Sequence, residues 1–186
     1  VPVMVGGVAG YTQAKHLMRT GAAGVLVGFG GGSAMTTRKG LGISAPMATA
    51  IADVAAARSD YLDESGGRYV HVIADGGLSR SGDLVKALAL GADAVMIGAP
   101  LARASEAPGQ GWYWGNEAHS VDFPRGVRTP LGVVGTLEEV LYGPSHHVDG
   151  TRNIVGALKR AMATCGYLDL KKFQKAEMTL VPEYRG

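Results

Sequence analysis

Cysteine is nearly absent from the chain: Cys165 is the single one in 186 residues. That excludes an internal disulfide and any cysteine-rich metal site, and it fits a reducing, cytoplasmic setting. Long apolar runs are missing as well. Gly, Asp or Thr interrupts each apolar stretch well before the roughly 18 residues of a membrane-spanning helix, and no basic leader precedes an apolar segment, so no membrane partner is expected. Charge is scarce. With 18% charged residues and a formal net charge of +2, no basic run is dense enough to track a phosphate backbone, which argues against nucleic acid as a partner. The length also falls short of the ~250 residues of a complete eight-stranded barrel. Val1-Pro2-Val3 opens the chain without methionine and already reads as a buried strand, so the expectation is a piece of a longer fold.

Glycine, by contrast, is abundant. The 29 glycines fall at the ends of apolar runs and form no repeat, which points to tight turns and close backbone approach to a ligand. Short continuous apolar runs alternate with helical patterns through the first two thirds, as in βα units whose parallel strands are buried on both faces. Strands are expected at Val1 to Val5, Gly24 to Val27, Val70 to Ala74 and Ala94 to Ile97. Thr12 should cap the first helix, with Gly21 as its stop. A glycine-rich loop should run from Gly28 to Arg38, before a helix that buries Met47, Ile51, Val54 and Ala55. The next helix starts near Ser81, carries Leu84, Val85 and Leu88 inward, and stops at Gly91.

Three regions of one partial barrel domain follow from this rhythm. Residues 1–109 hold the βα units; residues 110–136, with both tryptophans and little periodicity, read as an irregular flap; residues 137–186 form a helical C-terminal segment. In that segment Thr136 should cap a short helix, Asn153 should begin another bearing Ile154, Leu158, Ala161 and Met162, and Asp169 should cap the last. The fold class expected is α/β, the C-terminal half of a TIM (β/α)8 barrel.

The chemistry concentrates at two strand ends, Ile73-Ala74-Asp75-Gly76-Gly77 and Val95-Met96-Ile97-Gly98. In parallel barrels such neighbouring ends hold a phosphate, because glycine lets backbone N–H groups approach the anion and a helix N-terminus adds its dipole. A carboxylate beside a phosphate repels it, so the natural partners of Asp75 are ribose hydroxyls, which donate to it. The bland alternative is an aspartate that only caps a turn.

The third element is the loop Gly28-Phe29-Gly30-Gly31-Gly32-Ser33-Ala34-Met35-Thr36-Thr37-Arg38. Together with residues 42–54 and the two strand ends, it resembles the IMP dehydrogenase and GMP reductase family, whose loop reads Gly-x-Gly-x-Gly-Ser-x-Cys-Thr-Thr-Arg. The likeness runs in order along nearly the whole chain, and is greatest to the IMP dehydrogenase-related proteins of actinobacteria. It implies that Ser33, Gly76, Gly77 and Gly98 surround the 5′-phosphate of a purine mononucleotide, with Asp75 on the ribose. It also implies a potassium ion ringed by the carbonyls of Gly30, Gly32 and Met35, NAD or NADP as cofactor, Thr37 near the nicotinamide, and a homo-oligomer, a tetramer in this family.

The departures are as informative. In the family, a cysteine thiolate attacks C2 of the purine, hydride leaves to the nicotinamide, and water releases the product. Met35 stands at that position, and a thioether has no proton to lose. Ala99 replaces a phosphate-binding serine, and Phe123-Pro124-Arg125-Gly126-Val127 stands where the flap would supply a tyrosine and a base-contacting methionine. Cys165 reads as a small buried hydrophobe. His71 reads as a core or interface histidine, His146, His147 and Asp149 lack a spaced third ligand, and Trp112 and Trp114 should pack the flap on the barrel rim. Two other functions compete with an impaired purine-nucleotide oxidoreductase. One is a non-catalytic nucleotide-binding or regulatory protein; the other is an FMN-dependent barrel, whose phosphate site Asp75-Gly76-Gly77 with Ser81-Gly82-Asp83 also resembles.

Overall fold

A computed structural model of the chain describes residues 1–115, 128–179 and 181. Four parallel strands, β1 (Met4–Val8), β2 (Gly24–Val27), β3 (His71–Asp75) and β4 (Ala94–Met96), pair in sequence order β1-β2-β3-β4. The register Gly24 to His71, Ile73 to Ala94 and Asp75 to Met96 brings the C-terminal ends of β2, β3 and β4 level. Between them lie α1 (Tyr11–Arg19), the single-turn α2 (Thr37–Leu41), α3 (Met47–Glu64) and α4 (Ser81–Ala89).

Alternation decides which residues face the helices. Val25, Val27, Val72 and Ala74 are fully buried, and pack with Met18, Ile51 and Val54 of α1 and α3 into one core. The opposite face is covered at few points: Met4 is 63% and Met96 48% exposed, and His71 and Ala94 are exposed too. The expectation of strands buried on both faces therefore holds in part: α1, α3 and α4 cover one face, while on the other Ile73 is buried but Met4, His71, Ala94 and Met96 are exposed. His71 is likewise not a core residue; it lies on the open face, edge-on to the Tyr69 ring at 5.3 Å.

Several boundaries differ from the sequence reading: β1 runs on to Val8, β3 runs from His71 to Asp75 instead of Val70 to Ala74, and β4 ends at Met96 instead of Ile97. β1 begins at Met4, because Val1 to Val3 are exposed and outside the ladder. Gly10, not Thr12, occupies the N-cap of α1; its extended backbone (φ −144°) starts the turn, and the Gln13 side chain accepts from the Ala9 N–H nearby. The glycine loop ends at Thr36, the residue before α2, and not at Arg38. The stops at Gly21 and Gly91 stand, both with left-handed backbone (φ +106° and +107°).

Beyond β4 come α5 (Ala99–Ala102), then β5 (Trp112–Trp114) and β6 (Arg128–Pro130), paired antiparallel. The expected irregular flap thus contains a short two-stranded ribbon, too brief for periodicity to reveal. The C-terminal segment holds α6 (Leu137–Leu141), α7 (Ile154–Thr164) and α8 (Leu170–Phe173). Their caps are those expected: the side chains of Thr136, Asn153 and Asp169 accept from the N–H groups of Glu139, Gly156 and Lys172. Cys165 is a correction. It follows the last turn of α7 and is exposed, because the stripe of buried Ile154 and half-buried Leu158, Ala161 and Met162 ends before it.

At the N-terminal end of the sheet, Asp93 collects Arg58, Tyr69, Lys171 and the Val72 N–H at 2.5–2.9 Å. Gln174 also donates to its carboxylate at 3.2 Å, so the segment around α8 is tied to the start of β4. No described helix is long and apolar enough to cross a membrane.

Candidate functional site

The C-terminal ends of β2, β3 and β4 open into a cavity of about 570 Å³. Ser33, Asp75, Gly76, Gly77 and Gly98 line it together, with Met35 at its wall. Sequence positions 65 residues apart thus meet because three parallel strands end side by side and each hands the chain to a glycine turn.

The turn glycines are there because the backbones touch. A Cβ at Gly31 would lie 3.1 Å from the Gly76 carbonyl carbon and the Gly77 nitrogen, so the loop after β2 rests directly on the turn after β3. Gly77 has φ +73°, a left-handed conformation that aims its backbone toward the cavity at no steric cost. These close approaches bring bare backbone of the glycine turns to the cavity wall, which suits an anion.

Asp75 ends β3 and is half-buried. Burial raises its carboxyl above the ordinary aspartate range. Among the described residues no cation faces it in an ion pair. Such a group gains from hydroxyl donors supplied by a ligand.

Helix dipoles contribute less than the sequence suggested. The amide of Ser81, the first residue of α4, already donates to the Gly150 carbonyl at 2.8 Å, and the Asp83 carboxylate accepts from the Arg80 N–H. The helix after Gly98 is a single turn of four residues. The glycine turns, with Ser33, Ser79 and Tyr113, line the cavity and remain for an anion.

Met35 sits on the turn that its own N–H closes onto the Gly32 carbonyl at 3.1 Å. Gly30 is buried beneath this turn, so the carbonyl-bearing residues expected around a potassium ion belong to one short loop, and the Gly32 oxygen keeps a second lone pair free of that bond. On the other side of the loop a second cavity of about 580 Å³ is lined by Thr36, Arg38, Lys39 and Thr129. Thr37 lines neither cavity. It begins α2, and its neighbours reach the second cavity instead.

Two residues escaped the sequence reading. Tyr113 lines the first cavity, and its hydroxyl oxygen lies 2.7 Å from where a Cβ on Gly98 would stand. Thr129, its partner across the ribbon, donates to the Ser33 carbonyl at 3.4 Å. No sequence signal singled them out: the run Trp112-Tyr113-Trp114 is too short to show a face, and Trp114 lines the first cavity beside Tyr113. Both tryptophans are a little over 40% exposed and border an apolar hollow with Leu101 and Leu137, in line with packing on the rim. The segment Phe123 to Val127 lies outside the described residues.

Comparison with known proteins places these features. Residues 1–126 match the family model for the IMP dehydrogenase / GMP reductase domain. An uncharacterized oxidoreductase of Mycolicibacterium smegmatis is 57% identical over 97% of the chain and 49% of its own length. The inosine-5'-monophosphate dehydrogenase of Aquifex aeolicus is 33% identical over 94% of the chain and 38% of its own length. Among solved structures, an IMP dehydrogenase/GMP reductase-like protein from Corynebacterium glutamicum is 58% identical, with a TM-score of 0.86 over 95% of the chain and 47% of that protein. The chain spans about half the length of the relatives it matches. The parallel sheet and its helices are accordingly part of the (β/α) barrel of these relatives, as the strand pattern implied.

Proposed function

The chain belongs to the IMP dehydrogenase / GMP reductase family, and from that premise we propose that it carries the phosphate-binding side of a purine-nucleotide oxidoreductase domain in which the family's cysteine-dependent step does not run. The observation that supports this most is the meeting of Ser33, Asp75, Gly77 and Gly98 on one cavity with Met35 at its wall. In this reading the Ser33 hydroxyl and the N–H groups of Gly77 and Gly98 donate to the phosphate. Asp75 accepts from the ribose hydroxyls, which lowers the cost of holding its carboxylate half-buried. The purine then extends toward Met35.

The second cavity suits the other reactant. Arg38 and Lys39 give it positive charge beside the shared loop, as an anionic dinucleotide requires, and the carbonyls of Gly30, Gly32 and Met35 are the groups that would hold potassium. NAD or NADP, when bound, supplies a hydride acceptor. Met35 keeps the bulk and polarizability of sulfur, which preserves the packing of the loop, but it offers no thiolate to attack the purine. Binding and positioning therefore persist while covalent catalysis is lost, and a nucleotide-binding or regulatory role is the reading Met35 favours next. The domain works as a homo-oligomer inside the cell.

Calorimetric titration of the intact protein with IMP and with inorganic phosphate tests the site. Asp75→Ala should weaken IMP roughly tenfold or more, the worth of a hydrogen bond to a charged group, and leave inorganic phosphate nearly unchanged. Equal losses for both ligands would remove the ribose role.

A further inference from the structure

We infer that Tyr113 is a phosphate-positioning residue of this site, delivering its hydroxyl from the β5–β6 ribbon to the backbone at Gly98. The inference rests on the phosphate-centred reading above and adds a residue outside the glycine turns.

Three observations converge on it. Tyr113 lines the same cavity as Ser33, Gly77 and Gly98, although it lies 15 residues beyond Gly98 on a separate sheet. Its hydroxyl oxygen, and not the ring edge, is the part nearest Gly98, 2.7 Å from the position a Cβ would take, against 3.4 Å for the ring carbon that bears it. A polar oxygen brought against a bare backbone at the wall of a half-polar cavity is placed for an acceptor inside it. Finally, the ribbon itself is anchored to the loop that carries Ser33: Tyr113 pairs with Thr129, and Thr129 donates to the Ser33 carbonyl. One two-residue rung therefore touches both sides of the cavity, Gly98 through Tyr113 and Ser33 through Thr129.

Within the ribbon, Tyr113 is the residue that brings a hydroxyl close to Gly98; Trp114, which lines the same cavity, carries an indole instead. Trp112 does not line this cavity, and the Arg128 guanidinium lies 4.9 Å from its ring. A phenol O–H donates one hydrogen bond to an anionic oxygen, and it does so here in a site where position 99 is alanine and brings no hydroxyl.

Tyr113→Phe removes the oxygen and keeps the ring, so the ribbon stays packed. Affinities of the intact protein for IMP, inorganic phosphate and inosine are measured for the unaltered protein and the variant, with the thermal midpoint of each in the absence of ligand. The expected result is a loss of roughly tenfold or more for IMP, a parallel loss for phosphate, no change for inosine, and an unchanged midpoint. Retained IMP and phosphate affinity in Tyr113→Phe overturns the inference about Tyr113 alone. A loss that extends equally to inosine, or a lowered midpoint that accounts for it, assigns Tyr113 a purely structural role and also overturns it. Failure of the unaltered protein to bind either phosphate ligand overturns this inference together with the reading beneath it.

Discussion

Gly28, at the end of β2, lies so close to the carbonyl of Asp75 at the end of β3 that a Cβ on residue 28 would overlap the oxygen. It would also sit 2.5 Å from the Met47 sulfur, and its φ of +117° is one that L side chains rarely adopt. This contact sets the spacing between the two strand ends and hence the seat of Gly31 on Gly76 and Gly77. Gly28→Ala should therefore cost more than about 1–3 kcal/mol in denaturant unfolding and lower IMP affinity with it. Gly82→Ala is the control: a Cβ there meets nothing within 4 Å, and an alanine in helix α4 should be neutral or stabilising by about 0.5–1 kcal/mol. Similar behaviour of the two variants would refute the spacing argument.

The raised pKa of Asp75 makes nucleotide affinity depend on pH. Burial favours the protonated acid, so the free protein holds this proton at pH values where an unfolded aspartate has lost it; folding stability from this group is full below the unfolded value and declines as pH rises through the folded one. Ribose hydroxyls donate to the carboxylate and favour the ionised form. Binding of IMP should then release a proton and strengthen as pH rises through the folded pKa of Asp75, which lies above the ordinary aspartate value. Asp75→Asn should flatten that rise. A profile unchanged by the substitution would point to another group, such as the phosphate itself.

Asp93 works in the opposite sense. Its burial pushes the carboxyl up, but Lys171, Tyr69, the Val72 N–H and Arg58 outweigh that and hold it well below the usual range. Its contribution is complete above the unfolded aspartate pKa and is lost as pH falls below it. Asp93→Asn should cost about 2–3 kcal/mol near neutral pH and progressively less in acid. The same variant should make the segment around α8 easier to cleave by protease, since Lys171 and Gln174 lose their anchor. Equal destabilisation at all pH values would mean that shape, and not charge, is what Asp93 contributes.

Much of this arrangement was legible in the residues. The strand ends at Asp75-Gly76-Gly77 and Gly98 announced themselves because glycine follows an apolar run only where the backbone must turn or be approached. The caps at Thr136, Asn153 and Asp169 were readable because a side-chain oxygen immediately before an apolar stripe is a local signal. What escaped depends on distant partners. Tyr113 could not be placed because a three-residue strand has too little alternation to reveal its face, and the cluster around Asp93 draws in partners up to 81 positions away. The exposed side of the sheet was missed for a related reason: an apolar run reads the same whether one or both faces are covered within the chain.

Cys165 gives a check on the C-terminal segment. Its thiol is exposed after α7, so the native protein should react there with a thiol reagent, located by peptide mass mapping, at a rate close to that of the denatured chain. Protection until unfolding would mean that the segment packs otherwise.

The central claim is tested most directly by following NADH formation on adding IMP, NAD and potassium to the intact protein, with IMP binding established on the same sample. Because Met35 can neither attack the purine nor leave it, the expected result is saturable IMP binding with no NADH, and turnover appearing in Met35→Cys if the surrounding groups are still aligned for the reaction. NADH production by the unaltered protein that survives Cys165→Ala would contradict the account, since it would require another nucleophile or a mechanism that needs none.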